Sequence, residues 1–167
     1  MVKYQKLRRS AFCLFSLHGP RTPMASEPQG SLKRGRAENK QEVITMEAII
    51  NEKAMRGIER FLERRGMEIL ETGWAHGNDK IDFIARDEDD LAFISCTIRT
   101  NEGNGLGAEA LDRKMFERIA AAYLAEHLDI PEGTVRHDAV TMLILGESKA
   151  LLRYHVNALS DASNDLG

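Results

Sequence analysis

Histidine and cysteine often supply catalytic or metal-binding chemistry, but their spacing here favours neither role. The five histidines show no ligand pattern such as HExxH, and we interpret them as structural. They are His18, His76, His127, His137 and His155. The two cysteines, Cys13 and Cys96, form no CxxC pair and no disulfide framework. We therefore predict no zinc site, and a reducing cytoplasm fits the sequence best.

An acidic run and a glycine-rich segment look like ligand-binding motifs but lack the required spacing. We interpret Asp87–Asp90 as a solvated turn, because the alternating ligands of a calcium loop are absent. Gly103–Gly107 loosely resembles GxGxxG, but the spacing differs and no Rossmann-type context precedes it. We expect a flexible loop at these glycines.

Polar residues on two neighbouring predicted strands are the remaining candidates for a site. Side chains alternate along a strand, so every second residue of one strand shares a face. That face carries Phe93, Ser95, Thr97 and Arg99. Cys96 falls on the opposite face, where it would be an inert core thiol. On the preceding strand, Asp82 is either a metal ligand or a strand carboxylate bonded to a neighbouring backbone N–H.

The elements that must position these residues begin with a helix from Met46 to Arg65. Its apolar residues recur at helical spacing, and Gly66 follows where a left-handed C-terminal cap is wanted. Three strands are then predicted at Met67–Gly73, Ile81–Arg86 and Leu91–Arg99. The last two strands are joined by the acidic turn and should form a hairpin.

A second helix and two more strands complete the predicted domain. The loop Thr100–Gly107 leads into a helix at Ala108–Leu128, and Pro131 prevents its continuation. Arg136–Gly146 is apolar enough for a central strand, and Leu151–Val156 is predicted at an edge. The order α-β-β-β-α-β-β brings the fourth strand parallel to the third through a right-handed crossover. The fold class is therefore α/β, a mixed sheet flanked by helices.

Length, composition and charge limit the class of protein. A chain of 167 residues with 43% hydrophobic residues suits one domain and a tail. No apolar stretch approaches the ~20 residues of a membrane span. Residues 1–40 carry nine Lys and Arg against two acids, net +7, and residues 41–167 carry 14 basic and 24 acidic residues, net −10. Because residues 41–167 are this acidic, the domain should repel nucleic acid except at a local basic patch or through bound cations.

We predict that residues 1–45 lie outside the domain, which spans 46–160 and ends in a short tail at 161–167. Apart from Ala11–Leu17 the first segment has no periodic apolar pattern, and we expect it to be mostly disordered. Its start imitates a secretory signal peptide, but the apolar run is short and no A-x-A site follows. The alternatives are a basic tail that contacts nucleic acid and an over-extended reading frame whose true start is Met24 or Met46. We prefer the last of these.

Five sequence words, in order, resemble those of a known family. The word at Phe61–Leu70 is similar to F-L-x-x-x-G-[YF]-x-I-L, and the word at Lys80–Arg86 is similar to G-E-[IL]-D-[LI]-I-A. Leu91–Arg99 lies where the family has F-V-E-V-K-x-R. Glu109–Lys114 resembles E-A-[VI]-x-x-x-K, and Tyr154–Leu159 matches H-[IV]-x-N-A-F. The domain thus resembles the YraN family, small bacterial proteins with the restriction-endonuclease-like fold of the PD-(D/E)XK superfamily.

The resemblance implies a chemistry, metal-dependent hydrolysis of a phosphodiester. In that superfamily two or three carboxylates hold Mg²⁺, and a lysine orients the nucleophile. This sequence keeps Asp82 at the family aspartate and Arg99 at the family's basic position. Elsewhere the family residues are replaced. Lys80 and Ser95 occupy positions where the family has glutamates. Thr97 occupies the position of the family's lysine, and Met55 occupies the position of the glutamate on the first helix.

One aspartate among neutral hydroxyls makes a poor Mg²⁺ site, because hard cations need anionic oxygen ligands. Asp82 is the only family metal ligand that remains, and Met55, Ser95 and Thr97 are vestigial positions. Glu52 and Glu59 lie about one helical turn on either side of Met55 and are conceivable substitutes. Asp79 is another.

Three functional hypotheses follow. The first is a degenerate, largely non-catalytic nuclease-like protein, without a cofactor, that binds DNA or RNA near Arg99 and Lys114. Arg118 lies one helical turn from Lys114 and could join them, although solvated helix charges are commoner. The second is a divergent Mg²⁺ endonuclease that uses Asp82 with relocated carboxylates. The third is a protein-interaction domain, which the net charge of −10 over residues 41–167 makes credible. None of the three involves a membrane.

Overall fold

The computed structural model describes most of the chain from residue 36 onward and one earlier strand. The described residues are 10–16, 36–100, 105–107, 111–130, 133–146 and 148–160. The predicted C-terminal tail at 161–167 and most of the predicted N-terminal tail lie outside these ranges, as do the start of the predicted second helix and Pro131.

The first helix, α1, spans Arg36–Arg64 and packs one apolar stripe against the sheet. The stripe is the predicted one, since Ala54, Ile58 and Leu62 are fully buried. Gly66 (φ +89°) ends the helix in the left-handed conformation, and its N–H donates to the carbonyl of Glu63, which confirms the predicted cap. In the described part of the chain, no helix has the combination of length and apolar character needed to cross a membrane.

The start of α1 differs from the predicted Met46 by ten residues. The segment 36–45 is charged and was assigned to the tail, but Ala, Glu, Lys and Gln in it are good helix formers. Because a helix already anchored by its buried stripe can extend at its end without further nucleation, the segment adds turns to α1.

A long antiparallel hairpin follows α1 and carries the candidate aspartate. Strand β2 (Glu68–Thr72) pairs with β5 (Phe83–Asp87), and a smaller two-stranded extension lies between them. The extension is β3 (Ala75–His76) paired with β4 (Asp79–Lys80). Strand β5 then pairs with β6 (Asp90–Thr100), with Asp87 opposite Asp90. The predicted hairpin is confirmed, and the acidic run forms its turn.

The crossover through the second helix, α2, gives the sheet its parallel pair. Helix α2 spans Arg113–Glu126 and begins at Asp112, whose side chain accepts a hydrogen bond from the N–H of Met115. Strand β7 (Val135–Ile144) then runs parallel to β6 over ten paired positions. The parallel pairing of the predicted third and fourth strands is therefore confirmed.

The last strand, β8 (Lys149–His155), is not the edge strand that we predicted. Its outer side pairs with β1 (Ser10–Ser16), which comes from the segment predicted to be disordered. The pairing satisfies backbone groups that an edge would leave exposed. Within β1, Cys13 is half-buried against the core, whereas Phe12 and Leu14 are exposed. A short apolar run inside a Gly- and Pro-rich segment thus adopts strand structure through tertiary pairing.

The six-stranded sheet has the order β1-β8-β7-β6-β5-β2 and separates two cores. The α1-side core contains α1 and one set of alternating strand residues, among them Phe83, Ile94 and Val140. The α2-side core contains Ile84, Phe93 and residues of α2. This arrangement is the predicted mixed sheet with a helix on each face, the architecture expected for a nuclease-like fold.

Candidate functional site

The candidate site lies where β5 separates from β6. The two strands pair only as far as Phe83 opposite Ile94, and β6 continues for six residues beyond that point. At the point of separation, the Asp82 carboxylate accepts a hydrogen bond from the N–H of Cys96 at 2.7 Å. Asp82 is half-buried, and its side chain takes the place of a strand carbonyl in satisfying β6. The structure therefore contains the contact of the second interpretation given above, a carboxylate bonded to a neighbouring backbone N–H.

Ser95 is hydrogen-bonded to a histidine of the neighbouring strand. The distance from Ser95 Oγ to His137 Nε2 is 2.8 Å. His137 is only 1% exposed and stacks on Phe116 of α2 with a centroid distance of 5.2 Å. Burial lowers the pKa of His137 below its ordinary value, against a smaller opposing effect of Asp138. The histidine is therefore neutral near pH 7, and the pair carries no net charge.

The other nitrogen of His137 makes no such contact. Nδ1 is buried, and within the described ranges it has no hydrogen-bond partner. Buried polar atoms usually find partners, so an exception near a candidate site is informative. The missing partner of Nδ1 helps to decide which nitrogen of the His137 ring carries the proton.

Three positions that the resemblance assigns to the metal site, Met55, Ser95 and Thr97, lie on two different faces of the sheet. Ser95 lies on the α2 side of the sheet through its bond to His137, and alternation places Thr97 on the same side. Met55 instead packs against the α1-side core, together with Cys96. The structure therefore places the first-helix position on the opposite face from the two strand hydroxyls.

The conceivable substitute carboxylates are engaged elsewhere or stand apart. Glu52 is exposed and pairs with Arg56 on the same helix. Asp79 accepts two hydrogen bonds from the Arg118 guanidinium, at 2.6 and 2.9 Å. Glu59 is half-buried on α1. Over the described ranges, no group of three or more His, Cys, Asp and Glu side chains could hold a metal ion.

The three basic residues that we predict to contact phosphate, Arg99, Lys114 and Arg118, lie in three different environments. Arg118 is held by Asp79, and this contact lowers the pKa of the Asp79 carboxyl. Lys114 is exposed on the first turn of α2. Arg99 is half-buried, and its guanidinium lies against Gly107, where an added Cβ would come within 2.8 Å of it.

A second arginine meets the same glycine. Arg153 Nη2 donates to the Gly107 carbonyl at 2.8 Å. Gly107 has φ +62°, a conformation that glycine adopts without strain. Two guanidinium groups therefore lie together at the far end of the strand face that carries Ser95 and Thr97.

We expect that Cys96, the backbone donor to Asp82, does not act as a nucleophile. Burial raises the pKa of its thiol well above the ordinary value, and the nearby Asp82 charge raises it further. Because the thiolate is the reactive form, this thiol is inert at neutral pH. Its packing in the α1-side core agrees with the face that strand alternation predicts.

Comparison with known proteins identifies the family. The model of "Uncharacterised protein family UPF0102" matches residues 54–142, which contain the C-terminal part of α1, the hairpin, α2 and most of β7. The chain belongs to the UPF0102 family. This result confirms the resemblance to the YraN family.

Several UPF0102 proteins are similar to this chain. One from Beutenbergia cavernae is 36% identical over 87 residues, which cover 50% of this chain and 73% of the relative. One from Nocardia farcinica is 38% identical over 88 residues, covering 51% and 68%. One from Chlorobaculum tepidum is 33% identical over 107 residues, covering 62% and 82%.

Beside the candidate site, this UPF0102 protein contains a buried ionic network that sequence reasoning missed. Arg136 is 9% exposed and bonds to Asp87 at 2.5 Å, Asp90 at 2.6 Å and Asp138 at 3.1 Å. Asp138 also accepts from the Tyr154 hydroxyl at 2.5 Å and from the N–H of Asn157 at 2.7 Å. The surrounding carboxylates raise the pKa of Arg136 despite its burial. The network ties the acidic turn and the C-terminal segment to β7.

Sequence reasoning also missed His137. It was grouped with the structural histidines because it has no ligand spacing. The signal that could have located it is the parallel pairing of β6 with β7, which sets His137 beside Phe93 on the α2 side. Only a correct register would have revealed this neighbour, because 42 residues separate Ser95 from His137.

Proposed function

We propose that this UPF0102 protein is a nuclease-fold protein that binds nucleic acid without cleaving it. The observation that carries the proposal is the Ser95–His137 hydrogen bond, because a neutral pair occupies the position where active relatives of the fold place a metal-binding carboxylate. Asp82 alone cannot supply the anionic oxygens that Mg²⁺ needs for phosphodiester hydrolysis. The nuclease-like scaffold would then lack its catalytic ion.

The contacts of Asp82 support the same conclusion. Its carboxylate accepts the Cys96 N–H at 2.7 Å, so one oxygen already has a structural role. The first-helix position is an apolar methionine that packs in the α1-side core. A bound cation at Asp82 would therefore depend on water for most of its coordination, which corresponds to weak binding.

The basic residues near the strand face of Ser95 and Thr97 support binding. Arg99 and Arg153 lie together at Gly107, and Lys114 is exposed on α2. Guanidinium groups are suited to phosphate oxygens because their N–H donors form a planar fork. Arg118 contributes less, since Asp79 neutralises it. A local basic region of this kind is what an otherwise acidic domain requires to contact a nucleic-acid backbone.

The test measures binding and cleavage with the same chain. Full-length protein is incubated with labelled single-stranded, duplex and branched DNA in EDTA, Mg²⁺ or Mn²⁺. We expect binding in EDTA whose affinity falls steeply with salt, and intact DNA under all conditions. Arg99→Ala and Lys114→Ala should each weaken binding, whereas Lys53→Ala, an exposed lysine on α1, should not.

Two other results would replace this proposal. Metal-dependent cleavage that Asp82→Ala abolishes would establish the divergent Mg²⁺ endonuclease. Absence of both binding and cleavage would leave the protein-interaction domain, and a search for protein partners would follow.

A further inference from the structure

We infer that Ser95 and Thr97 form a metal-free site for a phosphate group. The inference rests on the proposed function and specifies how this strand face would hold a phosphate of the nucleic-acid backbone. In an active nuclease a carboxylate at this position attracts a cation that in turn holds the phosphate. Here the same position presents hydroxyl donors directly to the anion.

The first step concerns the proton of His137. Nδ1 has no partner among the described residues in either tautomer, and a buried N–H without an acceptor is the rarer and costlier of the two cases. A proton on Nε2 instead lies in the 2.8 Å hydrogen bond to Ser95 Oγ. The structure therefore favours the tautomer in which His137 donates and Ser95 accepts.

The second step concerns the serine hydroxyl. A hydroxyl has one donor and two acceptor positions. Since His137 occupies an acceptor position of Ser95, the hydroxyl proton stays available to a ligand. Ser95 is half-buried and directly follows Ile94, the last residue of β6 that pairs with β5, so we infer that this proton is available to a ligand beside the unpaired part of β6. The neutral histidine thereby converts Ser95 into a donor for an anionic oxygen.

The third step is the arrangement of its neighbours. Thr97 is half-buried two residues further along the same face, about 7 Å from Ser95 along the strand. Arg99 and Arg153 meet at Gly107 beyond it and make the local potential positive. Asp82 is an opposing charge nearby, since its carboxylate reaches the backbone of the residue next to Ser95. Its charge should weaken phosphate binding.

The binding test uses a labelled single-stranded DNA oligonucleotide in EDTA. We expect Ser95→Ala to weaken binding about tenfold, the usual effect of losing a hydrogen bond to a charged group. Ser95→Glu should weaken it further, because it restores a carboxylate. Asp82→Asn should strengthen binding, because it removes the opposing charge beside Ser95. Thr100→Ala is the matched control, since it removes a hydroxyl from the same strand on the opposite face and should have no effect.

A direct readout of the tautomer and of anion binding accompanies the variants. Nitrogen NMR of the His137 ring should show the proton on Nε2, and titration with inorganic phosphate should shift the amide resonances of Ser95 and Thr97. A proton on Nδ1, or DNA binding unaffected by both Ser95 variants, would overturn the inference and leave the proposed function intact. If no DNA binds, the proposed function fails. The phosphate titration then decides the anion site by itself, and absence of shifts at Ser95 and Thr97 refutes it.

Discussion

Replacing Tyr154 by phenylalanine should measure what the buried ionic network contributes to stability. The Tyr154 hydroxyl donates to Asp138 at 2.5 Å, and both side chains are fully buried. A hydrogen bond to a charged group is worth about 1.5–3 kcal/mol. Asp138 keeps its bonds to Arg136 and to the N–H of Asn157, so no charge is left unpaired. We therefore expect Tyr154→Phe to lower the free energy of unfolding by about 2 kcal/mol.

The ring contacts of Tyr154 should survive the change. Its ring packs edge-on against Phe61 with a centroid distance of 5.9 Å, and the Arg65 guanidinium lies 4.9 Å from its centroid. The variant thus removes one hydroxyl from a packing arrangement that phenylalanine can maintain. The loss should come from the hydrogen bond and not from a cavity.

Urea denaturation followed by circular dichroism provides the assay. With a denaturant slope of about 1–3 kcal/mol/M, a loss of about 2 kcal/mol lowers the midpoint by about 1 M. Tyr123→Phe is the matched control, because Tyr123 is 2% exposed and its hydroxyl forms no hydrogen bond with any residue that the structure describes. That control should stay within about 0.5 kcal/mol of the wild type. Equal losses in both variants, or an unchanged midpoint for Tyr154→Phe, would refute the reasoning.

Three further changes test other parts of the structure. Asp112→Ala removes the N-cap bond to the Met115 N–H and should cost about 1 kcal/mol in urea denaturation; an unchanged midpoint would contradict the cap. The lowered pKa of His137 means that the unfolded chain binds a proton that the folded chain resists. Stability should therefore fall as the pH drops below the ordinary value of 6.5, and His137→Gln should flatten that fall in urea titrations between pH 7 and 5. The raised pKa of Cys96 predicts that its thiol resists a disulfide reagent at pH 8 in native protein, as followed by mass spectrometry; rapid labelling would show an accessible thiolate.

The elements whose cause is local could be predicted from the sequence. The apolar spacing of α1 and the glycine at position 66 determine a helix and its end, because both act within a few residues. The β5–β6 hairpin follows from two β-prone runs with an acidic turn. The parallel β6–β7 pair follows from the long helical crossover between them, and the family from five short words in order.

Contacts between distant segments were decided by the tertiary structure. Strand β1 lies beside β8 because the backbone of β8 offers a pairing edge, and no local pattern in a Gly- and Pro-rich segment marks that partner. Arg136 joins Asp87, Asp90 and Asp138, since strand pairing places the acidic turn beside the start of β7.

The candidate site combines both kinds of information. The sequence by itself determined that Ser95 and Thr97 share a strand face with Arg99. Only the tertiary structure placed His137 beside Ser95 and gave the Asp82 carboxylate a backbone N–H to hold. Residue identity and alternation are fixed within one strand, whereas the partner of a side chain depends on the register between strands, which packing of the whole core sets.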